Sequence, residues 1–130
     1  MQDILVPISP GELLDKITIL RLKATRMADA AKLANVRREL ELLERTWADA
    51  VPDRAALATE ETELAQVNED LWQIEDRIRE HEAHSRFDAG FIELARAVYM
   101  RNDERAAIKR RINVKLGSGL VEEKSYRPYR

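Results

Sequence analysis

Two polar residues stand where the sequence pattern calls for apolar ones. The series Phe91, Leu94, Ala95 and Val98 continues by steps of four and three onto Asn102 and Arg105 before returning to Ile108 and Ile112. A buried polar group without a hydrogen-bond partner costs roughly 2 kcal/mol or more, so this pair must be answered from elsewhere in the fold. Two readings follow. Either the pair fixes register while the Arg105 head escapes to an edge on its aliphatic stem, or it lines a cavity where Arg105 holds an anionic group and Asn102 offers one donor and one acceptor.

A second constellation lies upstream. Asn68, Trp72, Glu75 and Arg79 follow one another by four, three and four, which places them on one helix face, rotated one residue from the stripe Val67, Leu71, Ile74 and Ile78. An indole among an amide, a carboxylate and a guanidinium makes a binding surface. It equally makes the edge of a helical core, where the Trp is half buried and its neighbours form i, i+4 pairs. Asp15 follows Leu13-Leu14 and precedes Ile17. It can meet Arg105 across the fold as a buried ion pair, or favour its helix N-terminus through the dipole, and its place near the first turn suits the dipole better. Glu12 and Lys16 have the spacing of an i, i+4 pair.

Other chemistries find no support. His81 and His84 stand three apart around Glu82, which is not HExxH, and Ile78 occupies the position where a di-iron bundle needs Glu. No metal and no other cofactor is expected, and the histidines suit the C-terminal end of a helix. There is no Cys, which excludes thiolate catalysis and zinc-thiolate sites. No Walker loop, dinucleotide fingerprint or GxSxG is present, and Lys109-Arg110-Arg111 reads as a solvated basic face rather than a nucleic-acid site.

The elements that must position these residues are helices. With four Gly and four Pro in 130 residues, turn chemistry is too scarce for a sandwich or barrel. Ile4 to Ile8 is a short extended lead-in. Ser9-Pro10-Gly11-Glu12 is a capping start, with Glu12 placed to reach back to the Ser9 amide. The first helix spans about 10–27 on Leu13, Ile17, Leu20, Ala24 and Met27; Ile19 and Leu22 fall off that stripe, which places it inside the assembly or against a second subunit. The second spans about 29–50, capped by Asp29 and stopped by Pro52. The third spans about 56–83 and the fourth about 88–116, capped by Asp88, running through Leu116 and ended by Gly117. The reading is all-α: an antiparallel four-helix bundle-like domain over 1–117, with two shorter and two longer helices, a short extended N-terminus and a C-terminal tail over 118–130.

The net charge of −2 hides a strong asymmetry. Residues 1–38 carry seven basic and four acidic side chains, 39–93 five and sixteen, and 94–130 ten and four. Such blocks neutralise each other when segments fold back, or pair two copies of the chain. The start Met1-Gln2-Asp3 has no basic targeting region, and the longest uncharged run, Ile4 to Gly11, is broken by two prolines and far short of the roughly 18 residues a bilayer requires. A cytoplasmic chain that engages neither membrane nor nucleic acid is expected. The long helices should outrun the short ones, so a homodimer is the favoured state.

SPGELLDKITIL (9–20), NVRREL (35–40), NEDLWQIED (68–76), FIELARAVYMRNDERAAIK (91–109) and EEKSY (122–126) together resemble an uncharacterised family of small bacterial proteins, a domain of unknown function. The resemblance spans nearly the whole chain, implies a bacterial helical protein and assigns no catalytic residue. A looser similarity to helical chorismate mutases rests on architecture alone. The expected function is a non-enzymatic helical binding or assembly protein that presents a polar groove and a tyrosine-bearing tail to a protein partner. The alternative is a small-molecule site or enzyme for an anionic metabolite, built from Asn102, Arg105, Asn68, Trp72, Glu75 and Asp15. The two differ in whether these residues converge on one pocket.

Overall fold

Three side-chain caps start three of the four helices. The Ser9 hydroxyl accepts from the Glu12 amide at 3.2 Å and opens α1 (Pro10–Arg26). Asp29 accepts from the Lys32 amide at 2.9 Å to open α2 (Ala30–Ala50), and Asp88 from the Phe91 amide at 3.1 Å to open α4 (Ala89–Lys115). The helix between them, α3 (Ala58–Ala83), is led in by a 3-10 turn, Arg54–Leu57, that delivers Leu57 to the core. Gly117 closes α4 at φ +62°, a conformation that favours glycine. The computed structural model describes all 130 residues; 73% are helical and there is no strand.

Helix α1 is the centre of the packing, in contact with α2, α3 and α4. Its seven buried residues, Gly11, Leu13, Leu14, Asp15, Ile17, Thr18 and Leu20, leave few faces to solvent, as its excess of apolar positions requires. Around Leu13, Leu14 and Ile17 gather Trp47 and Val51 from the end of α2, Leu64 and Val67 from α3, and Ile108 and Ile112 from α4. Helix α2 leans chiefly on α1, so the four helices do not close a ring in which each touches two neighbours. Between α3 and α4 the contacts climb one helix and descend the other: Glu63 with Arg111, Asn68 with Arg105, Asp70 with Arg101 and His81 with Asp88.

At about 40 Å each, α3 and α4 outrun α1 at about 25 Å. The buried residues of α4 are Ile108, Lys109, Ile112 and Asn113, and Ala89–Ala107 contains none. Phe91, Leu94 and Val98 on α4, like Leu71, Trp72 and Ile78 on α3, are only half buried, and Phe87 and Ile92 are exposed. The outer halves of the long helices thus form a two-helix arm. Leu116, expected to extend the α4 stripe, is also exposed.

The charge blocks meet within the chain. Arg21 binds Glu44 at 3.0 Å and Glu61 at 2.5 Å, Arg26 binds Glu69, Arg101 faces Asp70 at 3.5 Å and Arg111 binds Glu63. At such exposure each pair contributes only about 0–1 kcal/mol. Glu60 differs, because it is buried in the first turn of α3 and bonded to Lys115 at 2.5 Å. The Lys115 hydrogen bond holds its carboxyl below the usual glutamate range against the opposing effect of burial.

Candidate functional site: a buried polar crossing

Where α1 crosses α3 and α4, their polar residues meet in one network. Asn68 of α3 is 3% exposed and sits at its middle. Its Nδ2 donates to Asp15 Oδ1 at 2.9 Å and to Thr18 Oγ1 at 3.0 Å, while its Oδ1 accepts from Arg105 Nη1 at 3.0 Å. Arg105 Nη2 donates onward to Asn102 Oδ1 at 2.7 Å. One turn further along α4, Lys109 Nζ donates to Glu12 at 2.7 Å and to Glu122 of the tail at 2.8 Å, with the second Asp15 oxygen at 3.9 Å. At the last turn the Gly11 amide donates to Asn113 Oδ1 at 2.8 Å, which fixes the orientation of that amide.

Gly11 is a requirement of this geometry. A Cβ there would stand 2.5 Å from the Lys109 carbonyl oxygen, so only a residue without one lets the α1 backbone approach α4 this closely.

The electrostatics of the crossing are self-contained. Burial is the largest single influence on the Lys109 ammonium and pulls its pKa down, but hydrogen bonds to Glu12 and Glu122 outweigh it and the net shift is upward. The Lys109 hydrogen bond in turn holds the Glu122 carboxyl below the usual glutamate range. Three carboxylates, Glu12, Asp15 and Glu122, face two cations, Lys109 and Arg105, which leaves the crossing with a formal excess of one negative charge. That field repels an anion. The carboxylates that could hold a metal cation converge instead on the ammonium of Lys109.

The structure divides the residues that the sequence singles out. Asn68, Asn102, Arg105 and Asp15 come together. Asp15 is neither solvated at the helix start nor paired with Arg105: it is 4% exposed and answered by Asn68 and Lys109. Trp72 lies further along α3, half buried, and Glu75 is exposed and pairs with Arg79 at 3.3 Å. Glu12 turns to Lys109 rather than to Lys16 or the Ser9 amide. Lys109, expected on a solvated basic face with Arg110 and Arg111, has a side chain only 9% exposed. His81 and His84 bond the Arg77 and Glu80 carbonyls through Nδ1 at 3.0 and 2.9 Å, and His81 Nε2 faces Asp88 at 3.6 Å.

Five members of the crossing escape the pattern reading: Gly11, Thr18, Lys109, Asn113 and Glu122. A signal for two of them was present, since Lys109 and Asn113 continue the Asn102–Arg105 row by two steps of four.

Outside the crossing, residues 118–130 run back along α4. Glu123 faces Arg110 at 3.5 Å, and the Tyr129 hydroxyl donates to Asp103 at 2.7 Å, which raises the pKa of that phenol. Between this segment and α4 lies an open groove of about 1080 Å³ whose lining includes Asn102 but neither Asn68 nor Arg105.

Residues 4–129 match a family described as a family of unknown function, DUF6165. The chain belongs to that family. The match takes in the crossing, the arm and the C-terminal segment together, so Glu122 and Tyr129 lie within the family's extent. No curated protein and no solved structure matches the chain.

Proposed function

We propose that the chain is a non-enzymatic helical assembly protein whose α3–α4 arm packs against the same arm of a second copy. The observation that carries this reading is the unfinished burial of α4: Ala89–Ala107 contributes no buried residue, although Phe91, Leu94 and Val98 repeat there at core spacing. A half-covered apolar row on two long helices is stabilised by another row of the same kind. The arm also carries both signs of charge, with Arg77, Arg79 and Arg86 beside Glu75, Asp76 and Glu80, so an isologous pairing can place opposite charges together. The polar crossing supports a structural role for Arg105, because its contacts are the side chains of Asn68 and Asn102.

Light scattering at micromolar concentration tests the reading. A dimer is expected, and Ile92→Glu, at an exposed arm position, should dissociate it while helical circular dichroism is retained. A parent protein that stays at its monomer mass of 15.0 kDa would remove the argument.

A further inference from the structure

The groove between the C-terminal segment and α4 collects what the crossing lacks: an excess of positive charge, and aromatic faces. Elsewhere many cations are spent, Lys109, Arg111 and Lys115 each on a carboxylate of another segment. Along the groove they are not. Arg127 makes no hydrogen bond or ion pair, and the Arg130 guanidinium lies over the Tyr129 ring at 5.3 Å. Lys124 lies over the Tyr126 ring at 5.5 Å, and its nearest carboxylate, Glu122 at 4.0 Å, already accepts from Lys109 at 2.8 Å. On the opposite wall Glu104 is matched by Arg101 at 2.9 Å, which leaves Asp103 as the unmatched negative charge. Three cations line the groove against two carboxylates, Asp103 and the Arg101-paired Glu104, a positive excess inside a chain whose net charge is −2.

The rings are equally specific in placement. Tyr99 and Tyr129 form an edge-to-face pair at 4.8 Å, and Tyr126 is 79% exposed. Tyrosine faces stack on flat rings at little cost in side-chain freedom. Arginine forks hold phosphate oxygens two at a time. A groove of about 1080 Å³ has room for a ligand that combines both groups.

We propose that this groove binds a nucleoside phosphate, its base stacked on the Tyr126 side of the groove and its phosphates held by Lys124, Arg127 and Arg130. This site goes beyond the assembly reading: its α4 wall, Tyr99 to Ala107, belongs to the stretch that carries the arm, but the residues assigned to the ligand, Lys124, Tyr126, Arg127 and Arg130, lie outside it, so either can fail alone.

Calorimetric titration with ADP, adenosine and inorganic phosphate separates the contributions. ADP should bind at least about tenfold more tightly than either half, the factor expected when ring stacking and phosphate contacts act together. Tyr126→Ala and Arg127→Ala should each weaken ADP by about tenfold, and Arg37→Ala, a cation on α2 outside the groove, should leave it unchanged. All three positions are exposed, so circular dichroism and light scattering should be those of the parent. Absence of ADP binding at millimolar concentration, phosphate binding as tight as ADP, indifference to both groove variants, or tighter binding of an acidic peptide than of ADP would each overturn the proposal.

Discussion

Replacing Gly11 by alanine sets two physical effects of opposite sign against each other. In a helix interior alanine is favoured over glycine by about 0.5–1 kcal/mol, so propensity alone predicts a more stable protein. The packing predicts the reverse. The new Cβ would meet the Lys109 carbonyl oxygen at 2.5 Å and Asn113 Oδ1 at 2.9 Å, and the closer of these is backbone, which cannot rotate away. To reach ordinary contact, α1 and α4 must part by nearly an ångström. The hydrogen bond from the Gly11 amide to Asn113 Oδ1, now 2.8 Å, would then be lost at a side chain only 1% exposed. An unsatisfied buried acceptor costs about 1–3 kcal/mol and overpacking about 1–3 more. After the propensity gain is subtracted, a net destabilisation of about 1–5 kcal/mol remains, whose middle is a fall in melting temperature of roughly 10 °C. Urea unfolding of parent and variant measures it directly. Equal or greater stability in the variant would refute the close approach of α1 to α4.

Other perturbations probe the same crossing. Lys109→Met keeps the volume but leaves Asp15 buried without its cation; a loss of about 3 kcal/mol is expected, at the low end for a broken buried pair because Glu12 and Glu122 remain open to water, and unchanged stability would contradict the assignment. Arg105→Met deprives Asn68 Oδ1 of its donor and should cost about 1–3 kcal/mol in thermal unfolding, whereas a neutral outcome would place that guanidinium in solvent. Because the Glu122 pKa is lowered on folding, its stabilising contact is present above the ordinary glutamate range and lost as pH falls through the native value. The amide resonances of Leu120 to Glu123 should therefore shift toward random coil in acid, and Glu122→Gln should weaken the pH dependence. The raised Lys109 pKa works at the other end: its contribution is complete below the ordinary lysine range and fades only as pH rises through the elevated native value.

Much of the fold was legible because its signals are local. Ser9, Asp29 and Asp88 cap what they were expected to cap, and Gly117 ends α4, since each depends on a few neighbouring residues. The stripes of α1 and α3 likewise mark core positions such as Ile17 and Val67. The candidate site was legible in part. Asn102 and Arg105 announced themselves by interrupting a stripe, but periodicity says which face a residue occupies and not which helix lies opposite. The position of Asp15 near a helix start therefore favours a dipole reading and gives no sign that Asn68, 53 residues away, donates to it. Lys109 was hidden by Arg110 and Arg111, because a basic triplet looks uniform in sequence while the helix turns one member inward every fourth residue. Glu122 could not be found by any periodic argument, since it belongs to no helix.

The central place of α1 has a consequence for how the chain is made. A ribosome delivers this helix before the three it packs against, yet Asn113, which closes its first turn, follows Gly11 by 102 residues. At about 5–20 residues per second that interval is on the order of ten seconds. The α1–α2 and α3–α4 hairpins can each close locally as they emerge, but the side of α1 that meets α4 must wait until nearly the last turn of that helix has been synthesised. Nascent chains of this protein should therefore keep the α4-facing side of α1 uncovered until synthesis of α4 is nearly done, and those stalled before Lys109 should be more open to proteolysis than the finished chain.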